Sequence, residues 1–205
     1  MKRFRITILA VCIILAWLGY SDLRILFGNP EPLTITVAEL ETSGAPREWL
    51  RIEDGTQDLL QAINMSGSMN IDAFLVPLKR NAASKTMKIW FETRDPQIID
   101  VLKTYYFILE TDQERNDFIN KNSELFLGKK ILTGMAADSL IANSNQNKLK
   151  KLLQQMNVPV REDTIFISEG KQPARWRGIF FTLIAAIGFI KIFLSFARQN
   201  GDNQQ

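Results

Sequence analysis

The strongest constraint on this chain is an apolar stretch from Gly178 to Ala197, which reads GIFFTLIAAIGFIKIFLSFA. An α-helix rises about 1.5 Å per residue and the hydrocarbon core of a bilayer is about 30 Å thick, so roughly twenty apolar residues are needed to cross it. The stretch meets that length. We therefore predict a transmembrane helix here, and we expect the rest of the chain to be anchored to a membrane.

Four residues of this stretch are candidates for helix contacts. Gly178, Thr182 and Ala186 recur at every fourth position, and a ridge of small residues lets helix backbones approach closely in lipid. Lys191 is the only ionisable residue in the stretch. A buried ammonium group is costly unless it reaches an interface, water or a partner, so we interpret Lys191 as snorkelling, with a functional buried charge as the alternative.

The residues directly before this stretch are typical of a membrane interface. Trp176 lies between Arg175 and Arg177. An indole ring favours the depth of the lipid headgroups, and guanidinium groups favour the neighbouring phosphates. We predict that these three residues anchor the end of the helix at the bilayer surface.

A second apolar stretch follows the basic residues Lys2, Arg3 and Arg5 near the N-terminus. Positive charge beside a span stays in the cytoplasm, so an N-in, C-in topology follows if both stretches cross the membrane. The alternative is a cleaved signal peptide, which would still leave the following domain outside. The predicted divisions are a cytoplasmic N-terminus (residues 1–5), a first transmembrane helix (6–27), an extracytoplasmic domain (28–174), a second transmembrane helix (175–197) and a cytoplasmic tail (198–205).

The domain between the spans has the patterns of a mixed α+β fold. Alternating or continuous apolar runs predict strands over 33–37, 49–52, 71–78, 87–93, 129–136 and 164–168, with Asp54-Gly55 as a turn. Asp95-Pro96 predicts one helix start, and Thr111 with Glu114 forms the capping box of another. Leu149, Leu152, Leu153 and Met156 predict a further amphipathic helix. The expected domain has a small antiparallel sheet, and an OB-like, partly closed barrel with a helical insertion would suit this order.

The available side chains limit the chemistry. The chain has no histidine and a single cysteine, Cys12, within the first apolar stretch. Ser-His and Cys-His pairs and disulfides within one chain are therefore excluded. Carboxylates remain, and we interpret them as surface, turn and capping residues: Glu39, Glu41, Glu53, Asp54, Asp95, Asp112, Glu114 and Asp117. We predict no catalytic, cofactor-binding or metal-binding residues, and no cofactor.

The formal net charge of +3 gives no indication of nucleic-acid binding. The function predicted by elimination is that of a membrane-anchored, non-enzymatic accessory, assembly or scaffold protein. Its expected partners are the lipid bilayer, a membrane or envelope protein, and a second copy through the transmembrane helices. The expected location is a bacterial inner membrane with the domain in the periplasm. A membrane-bound hydrolase or transferase that uses carboxylates or a Ser-Lys pair is the alternative.

Overall fold

The computed structural model describes residues 2–65, 72–136, 151, 154 and 163–202. The chain divides into two compact units, a helical unit of Met1–Pro30 with Pro173–Gln205, and a second unit of Glu31–Gln172. The helices are α1 (Lys2–Gly28), α2 (Val37–Ser43), α3 (Pro96–Lys103), α4 (Asp112–Lys121), α5 (Ser123–Leu127) and α6 (Arg175–Asp202). The strands are β1 (Leu33–Thr36), β2 (Trp49–Gln57), β3 (Ile63–Asn64), β4 (Phe74–Lys79), β5 (Ile89–Thr93), β6 (Lys129–Ala136) and β7 (Ile165–Glu169).

Both α1 and α6 are long and apolar enough to cross a membrane. The qualifying segments are Ile6–Gly28 and Arg175–Leu194, with mean hydropathies of 2.0 and 1.9. Only 11% and 17% of their apolar windows are buried, so large apolar side chains cover the outside of the pair. A hydrogen-bonded helix with such a surface satisfies its own backbone groups in a bilayer.

The second unit is built on a closed five-stranded barrel. The strands pair in the order β2-β6-β7-β5-β4, and a further pairing of β2 with β4, Thr56 with Lys79 and Gln57 with Leu78, closes the ring. Strands β1 and β3 are added outside the ring on β2 and β4. The predicted α+β class is confirmed, and the barrel is closed where the sequence suggested a partly closed one.

The prediction of an antiparallel sheet is wrong for two of the strand pairs. Strand β1 runs parallel to β2, and β5 runs parallel to β7. Parallel neighbours need a crossover connection, which the sequence pattern did not indicate. Helix α2 lies within the first crossover, and the second contains α3, α4, α5 and β6.

Two local predictions near the first strands also need correction. Helix α2 was missed, although Thr36 and Glu39 form a reciprocal capping box that signals its start. Asp54-Gly55 is not a turn that ends the strand, because β2 continues through it as a β-bulge. Asp54 has a φ of 58°, and a Cβ atom on Gly55 would lie 2.7 Å from the side chain of the buried Leu78, so a larger residue at position 55 would displace that side chain.

Among the described residues, two apolar clusters hold the barrel together. The main cluster is fully buried and includes Phe91 from β5 and Phe126 from α5. A side chain of this size contributes about 1.5–3 kcal/mol when it leaves water. Ile63, Leu75, Trp90 and Phe166 form a separate buried cluster. Neighbouring side chains of β5 therefore lie in different clusters, with Phe91 in the main cluster and Trp90 in the second.

The first residue of β1 and the last residue of β7, close to the two ends of this unit, lie in one row of paired residues across the sheet. Leu33 at the start of β1 pairs with Leu50, Leu50 pairs with Gly134, and Gly134 pairs with Glu169 in β7. Neighbouring strands lie about 4.8 Å apart, so three steps place the two ends within roughly 15 Å of each other.

The helical segment between β5 and β6 follows the predicted start signals. The Asp95 carboxylate accepts a hydrogen bond from the Gln97 backbone N–H at 2.9 Å, which confirms the predicted N-cap of α3. The capping box of Thr111 and Glu114 at the start of α4 is also confirmed. A π-helical turn, Thr104–Ile108, follows α3 directly. The predicted amphipathic helix at Leu149–Met156 lies outside the described residues.

Candidate functional site

Small residues bring α1 and α6 close together in the helical unit. A Cβ atom added to any of three glycines would overlap the other helix, since Gly19 lies against Thr182, Gly178 against Asp22, and Gly188 against Cys12. Cys12 and Ala185 are 4% and 2% exposed. Such contacts are the usual basis of helix association in lipid.

The four predicted helix-contact residues do not all lie at this contact. Gly178 and Thr182 do, and the Thr182 hydroxyl also donates a hydrogen bond to the Gly178 carbonyl oxygen at 2.8 Å. Ala186 and Lys191 lie on exposed sides of α6. The contact row instead continues through Ala185, one residue earlier than Ala186.

An ion pair that sequence reasoning missed links the two long helices. The Arg177 Nε and Nη2 atoms each lie 2.8 Å from a different carboxylate oxygen of Asp22. This bidentate geometry is the strongest form of an arginine–carboxylate pair. The other predicted interface residues, Arg175 and Trp176, are exposed, and Trp176 is 82% exposed. The available signal was an acid just after the first apolar stretch and an arginine just before the second.

A buried ion pair lies where β2 and β4 close the barrel. Lys79 Nζ lies 2.6 Å from Asp58 Oδ2, and both side chains are less than 10% exposed, at 9% and 7%. The other carboxylate oxygen of Asp58 accepts the Leu60 backbone N–H at 3.2 Å. Both charges are therefore satisfied inside the protein, which is the condition for a buried pair to be tolerated.

An exposed apolar surface covers the π-helical turn. We call it the aromatic patch and define it by Leu60, Tyr106, Phe107 and Ile108, which are 36%, 38%, 67% and 67% exposed. Regular helical spacing from Ile98 and Leu102 would place Tyr106 on the same, buried face of the helix. The wider turn changes that spacing, since the Leu109 N–H bonds to the Thr104 carbonyl oxygen five residues earlier. Contiguous apolar surfaces of this kind are candidates for interaction sites.

The aromatic patch is fixed to the core by edge-on contacts between aromatic rings. The Tyr105 ring packs edge-on against the buried Phe126 at 5.4 Å and against Tyr106 at 4.9 Å, and Tyr106 packs against Phe107 at 6.4 Å. The Tyr106 hydroxyl donates to the Leu60 carbonyl oxygen at 3.3 Å. Burial raises the pKa of Tyr106, so the hydroxyl keeps its proton and its hydrogen bond near neutral pH.

An acidic segment follows the aromatic patch along the chain. Residues 110–117 contain four exposed acids and one arginine, Arg115. The backbone and hydroxyl of Thr111 hydrogen-bond with Glu114 and lower the pKa of its carboxyl group. Glu114 therefore carries its charge at neutral pH. The four acids of this segment are Glu110, Asp112, Glu114 and Asp117.

A polar groove of about 950 Å³ lies between the start of α3, the junction of α4 with α5, and the start of β6. Here it is called the lysine groove. Its lining includes Gln57, Asp95, Gln97, Lys121, Asn122, Ser123, Glu124, Gly128, Lys129 and Lys130. A Cβ atom on Gly128 would overlap the Glu124 carbonyl oxygen, so glycine is needed for this tight connection.

Gln57 lines the lysine groove, and one of its side-chain atoms has no hydrogen-bond partner in the described part of the chain. The residue is 4% exposed, and its Nε2 donates to the Leu125 carbonyl oxygen at 2.6 Å. This bond fixes the orientation of the amide. Its Oε1 is buried and accepts no hydrogen bond from the described part of the chain. A buried acceptor without a donor costs about 1–3 kcal/mol.

The acids that sequence reasoning considered for chemistry occupy structural positions. Glu39 and Asp95 cap helices, Glu53 pairs with Arg51 at 3.0 Å, and Asp54 lies in the β-bulge. Glu41 pairs with Arg80 at 3.2 Å. Across the ranges that the structure describes, no group of three or more metal-ligating side chains is found.

Comparison of the chain with protein-family models, with curated proteins and with solved structures finds no match.

Proposed function

We propose that this protein is a two-span membrane protein whose barrel domain binds a protein partner, acting as an accessory, assembly or scaffold component of a bacterial inner membrane. The aromatic patch is the observation that supports this function. The two long apolar helices support the anchor.

The barrel is OB-like in our proposal. Two features support this proposal. The barrel is closed and has five strands, and a helical segment connects its third and fourth strands, β5 and β6. OB-folds commonly bind ligands on the face of their second and third strands, here β4 and β5. In this chain Leu75 and Trp90 are only 0% and 1% exposed, because they belong to the second buried cluster. A different surface must therefore bind the partner.

The aromatic patch is suited to that role because its side chains are both exposed and held in place. Phe107 and Ile108 present apolar area to solvent, while edge-on contacts of Tyr105 with Tyr106 and with the buried Phe126 hold the turn against the core. A rigid aromatic surface loses little conformational entropy on binding. Aromatic side chains are also enriched among the residues that dominate interface energies.

The charge beside the patch indicates the chemistry of the partner. The acidic segment carries four acids against one arginine. Complementary charge steers association and suppresses wrong partners. The proposed occupant is therefore an amphipathic segment of a membrane protein, with apolar side chains that contact Phe107 and Ile108 and with basic side chains that face the acidic segment.

The orientation of the barrel is testable with reporter fusions after Pro32, after Gly170 and at Gln205. Lys2, Arg3 and Arg5 before the first span favour an N-in, C-in protein, with the barrel in the periplasm. Alkaline phosphatase is expected to be active at the first two positions and inactive at the third. Cytoplasmic activity of a fluorescent protein fused after Gly170 would contradict the orientation.

The partner is testable with a photoreactive amino acid placed at position 107 of the full chain in its native membrane. Crosslinking to a membrane protein is expected, at a segment that contains both apolar and basic residues. The double variant Phe107→Ser with Ile108→Ser should lower recovery of that partner by at least about tenfold, because central apolar anchors carry most of an interface's energy.

Ile131 provides the matched control. It is 59% exposed on β6 and does not belong to the aromatic patch. Ile131→Ser should leave partner recovery unchanged, and a photoreactive residue at 131 should not yield the same adduct. Crosslinks from position 107 to lipid alone, or only to a second copy of the chain, would count against a separate protein partner.

A further inference from the structure

We propose that Lys191 and the apolar residues around it on α6 bind a transmembrane helix of another protein, one that carries an aspartate or glutamate within its apolar span. This site rests on the membrane anchor proposed above, but not on the partner proposed for the aromatic patch. Two observations support it, the depth of Lys191 in the span and an exposed row of residues at heptad spacing.

The acids of the helix pair are too distant to neutralise Lys191. They are Asp22 in α1 and Asp202 in α6. Asp22 lies level with Gly178, since a Cβ atom on that glycine would lie 2.8 Å from the Asp22 Cβ atom, and it already pairs with Arg177. Gly178 precedes Lys191 by thirteen residues and Asp202 follows it by eleven, so each acid is roughly 16–20 Å away along the helix axis.

Lys191 also starts well inside the hydrocarbon region. Trp176, suited to the headgroup level at one end of the span, lies fifteen residues and roughly 22 Å before it, whereas the core is about 30 Å thick. Arg198, near the other end, lies seven residues and roughly 10 Å beyond it. The Cα–Cβ bonds of a helix tilt toward its N-terminus, so the lysine stem leaves the backbone toward the middle of the span. Reaching the nearer headgroups requires the stem to turn back, and an ammonium group left in hydrocarbon is costly.

The second observation is the row in which Lys191 lies. We call it the Lys191 row, and its members follow at alternating intervals of four and three residues: Phe180, Ile184, Ile187, Lys191 and Leu194. The four apolar members are 59%, 38%, 65% and 54% exposed, so α1 does not cover the row. Heptad spacing of this kind is the seam by which pairs of helices pack, and a lone polar residue in the seam fixes the register and the oligomeric state.

Charge complementarity indicates which occupant fits the Lys191 row. A second copy of the chain in the same orientation brings no acid to this depth, because Asp22 and Asp202 are as distant in the copy as in the chain itself. An anionic lipid carries its charge at the level of the headgroups. A helix of another protein with an acidic residue in its span places a carboxylate at the depth of the ammonium group, and polar contacts between helices hold such pairs together in lipid.

The test places a photoreactive amino acid at position 187 of the full chain in its native membrane. An adduct is expected with a transmembrane segment that contains an aspartate or glutamate. Lys191→Leu should lower the yield of this adduct by at least about tenfold, because the partner's carboxylate is then left unpaired in lipid. Lys191→Arg keeps the charge and should retain most of the yield. An unchanged yield in Lys191→Leu would overturn the site.

Phe193 provides the matched control. It is 73% exposed and lies two residues from Lys191, on nearly the opposite side of α6 because successive residues turn by about 100°. A photoreactive residue at position 193 should not yield the same adduct. Equal yields at positions 187 and 193, adducts with lipid alone, or adducts only with a second copy would each overturn the site.

A charge exchange tests the ion pair itself. Lys191→Glu should abolish the adduct, and replacing the partner's acid with lysine should restore it; a failure to restore it would overturn the pairing. Extraction of the membranes with sodium carbonate separates this site from the anchor on which it rests. Release of the chain would overturn both, whereas a retained chain without the adduct at position 187 would overturn the site alone.

Discussion

Replacing Asp58 with asparagine is expected to lower the free energy of unfolding of the barrel by about 3–5 kcal/mol. Asparagine keeps the shape of the side chain and an acceptor for the Leu60 backbone N–H. It leaves the Lys79 ammonium group buried without its partner at 2.6 Å. The midpoint of thermal unfolding should fall by about 10 °C, measured by tryptophan fluorescence of the full chain in detergent.

Two further variants test whether the loss of stability comes from leaving a buried charge without its partner. The double variant Asp58→Asn with Lys79→Met removes both charges, and it should recover more than half of the lost stability because no unpaired charge stays buried. Arg51→Met breaks an exposed pair with Glu53, whose side chains are 45% and 40% exposed, and should cost less than about 1 kcal/mol. Equal decreases in the free energy of unfolding for Asp58→Asn and Arg51→Met would contradict the prediction, because they would show that burial of the Asp58–Lys79 pair has no effect on its contribution.

Replacing Gly188 with cysteine is expected to create a disulfide with Cys12 inside the helical unit. A Cβ atom at position 188 would lie 3.8 Å from the Cys12 Cβ atom and would overlap the Cys12 Sγ atom, so that sulfur must rotate to form the bond. That spacing is the usual one for a disulfide. Since the chain has no other cysteine, oxidation of membranes with copper phenanthroline should produce this single bond. Proteolysis between the spans followed by electrophoresis without reductant should show the two helices joined.

Ala186→Cys is the matched control for this crosslink. Ala186 is exposed on α6 and lies two residues from Gly188, at nearly the same depth along the helix. It should give little joined product within one chain. Efficient crosslinking at position 186 with none at position 188 would mean that α6 is rotated about its axis relative to the contact with α1 described above.

The features that could be predicted from sequence are those set by nearby residues. That two helices are long and apolar enough to cross a membrane follows from the residues of each apolar stretch. Asp95 before Pro96, and Thr111 three residues before Glu114, fix helix starts because the capping hydrogen bonds join residues only two or three positions apart. The two-residue alternation of Phe91 and Trp90 likewise follows from strand geometry.

Features that depend on distant residues could not be predicted in the same way. Closure of the barrel rests on the pairing of Gln57 with Leu78, and the parallel pair of β5 and β7 joins segments that are far apart in the chain. The π-helical turn was not predicted either, and its Tyr105 packs against Phe126, which is distant in the chain. Regular helical spacing therefore placed Tyr106 on the wrong face.

Both candidate sites of the barrel depend on features that could not be predicted from nearby residues. The aromatic patch exists because the turn rotates Tyr106, Phe107 and Ile108 outward. The lysine groove joins Gln57 at the end of β2 to Lys121 and Lys129, and no local motif relates these positions. The ion pair of Asp22 and Arg177 spans most of the chain, although the charge next to each apolar stretch was visible.

Leu33 and Glu169 lie in one row of the sheet, close to the two ends of the barrel unit. Folding of the barrel therefore lowers the entropy cost of pairing the two long helices. With the barrel unfolded, α1 and α6 would be joined by a flexible loop of roughly 146 residues, and the entropy of closing a loop grows with the logarithm of its length. The folded barrel reduces that loop to two short linkers and a gap of roughly 15 Å. Each halving of loop length lowers the cost of closing the loop by about 0.6 kcal/mol, and the two linkers with the gap correspond to almost four halvings. Folding of the barrel therefore favours pairing of the two helices by about 2 kcal/mol.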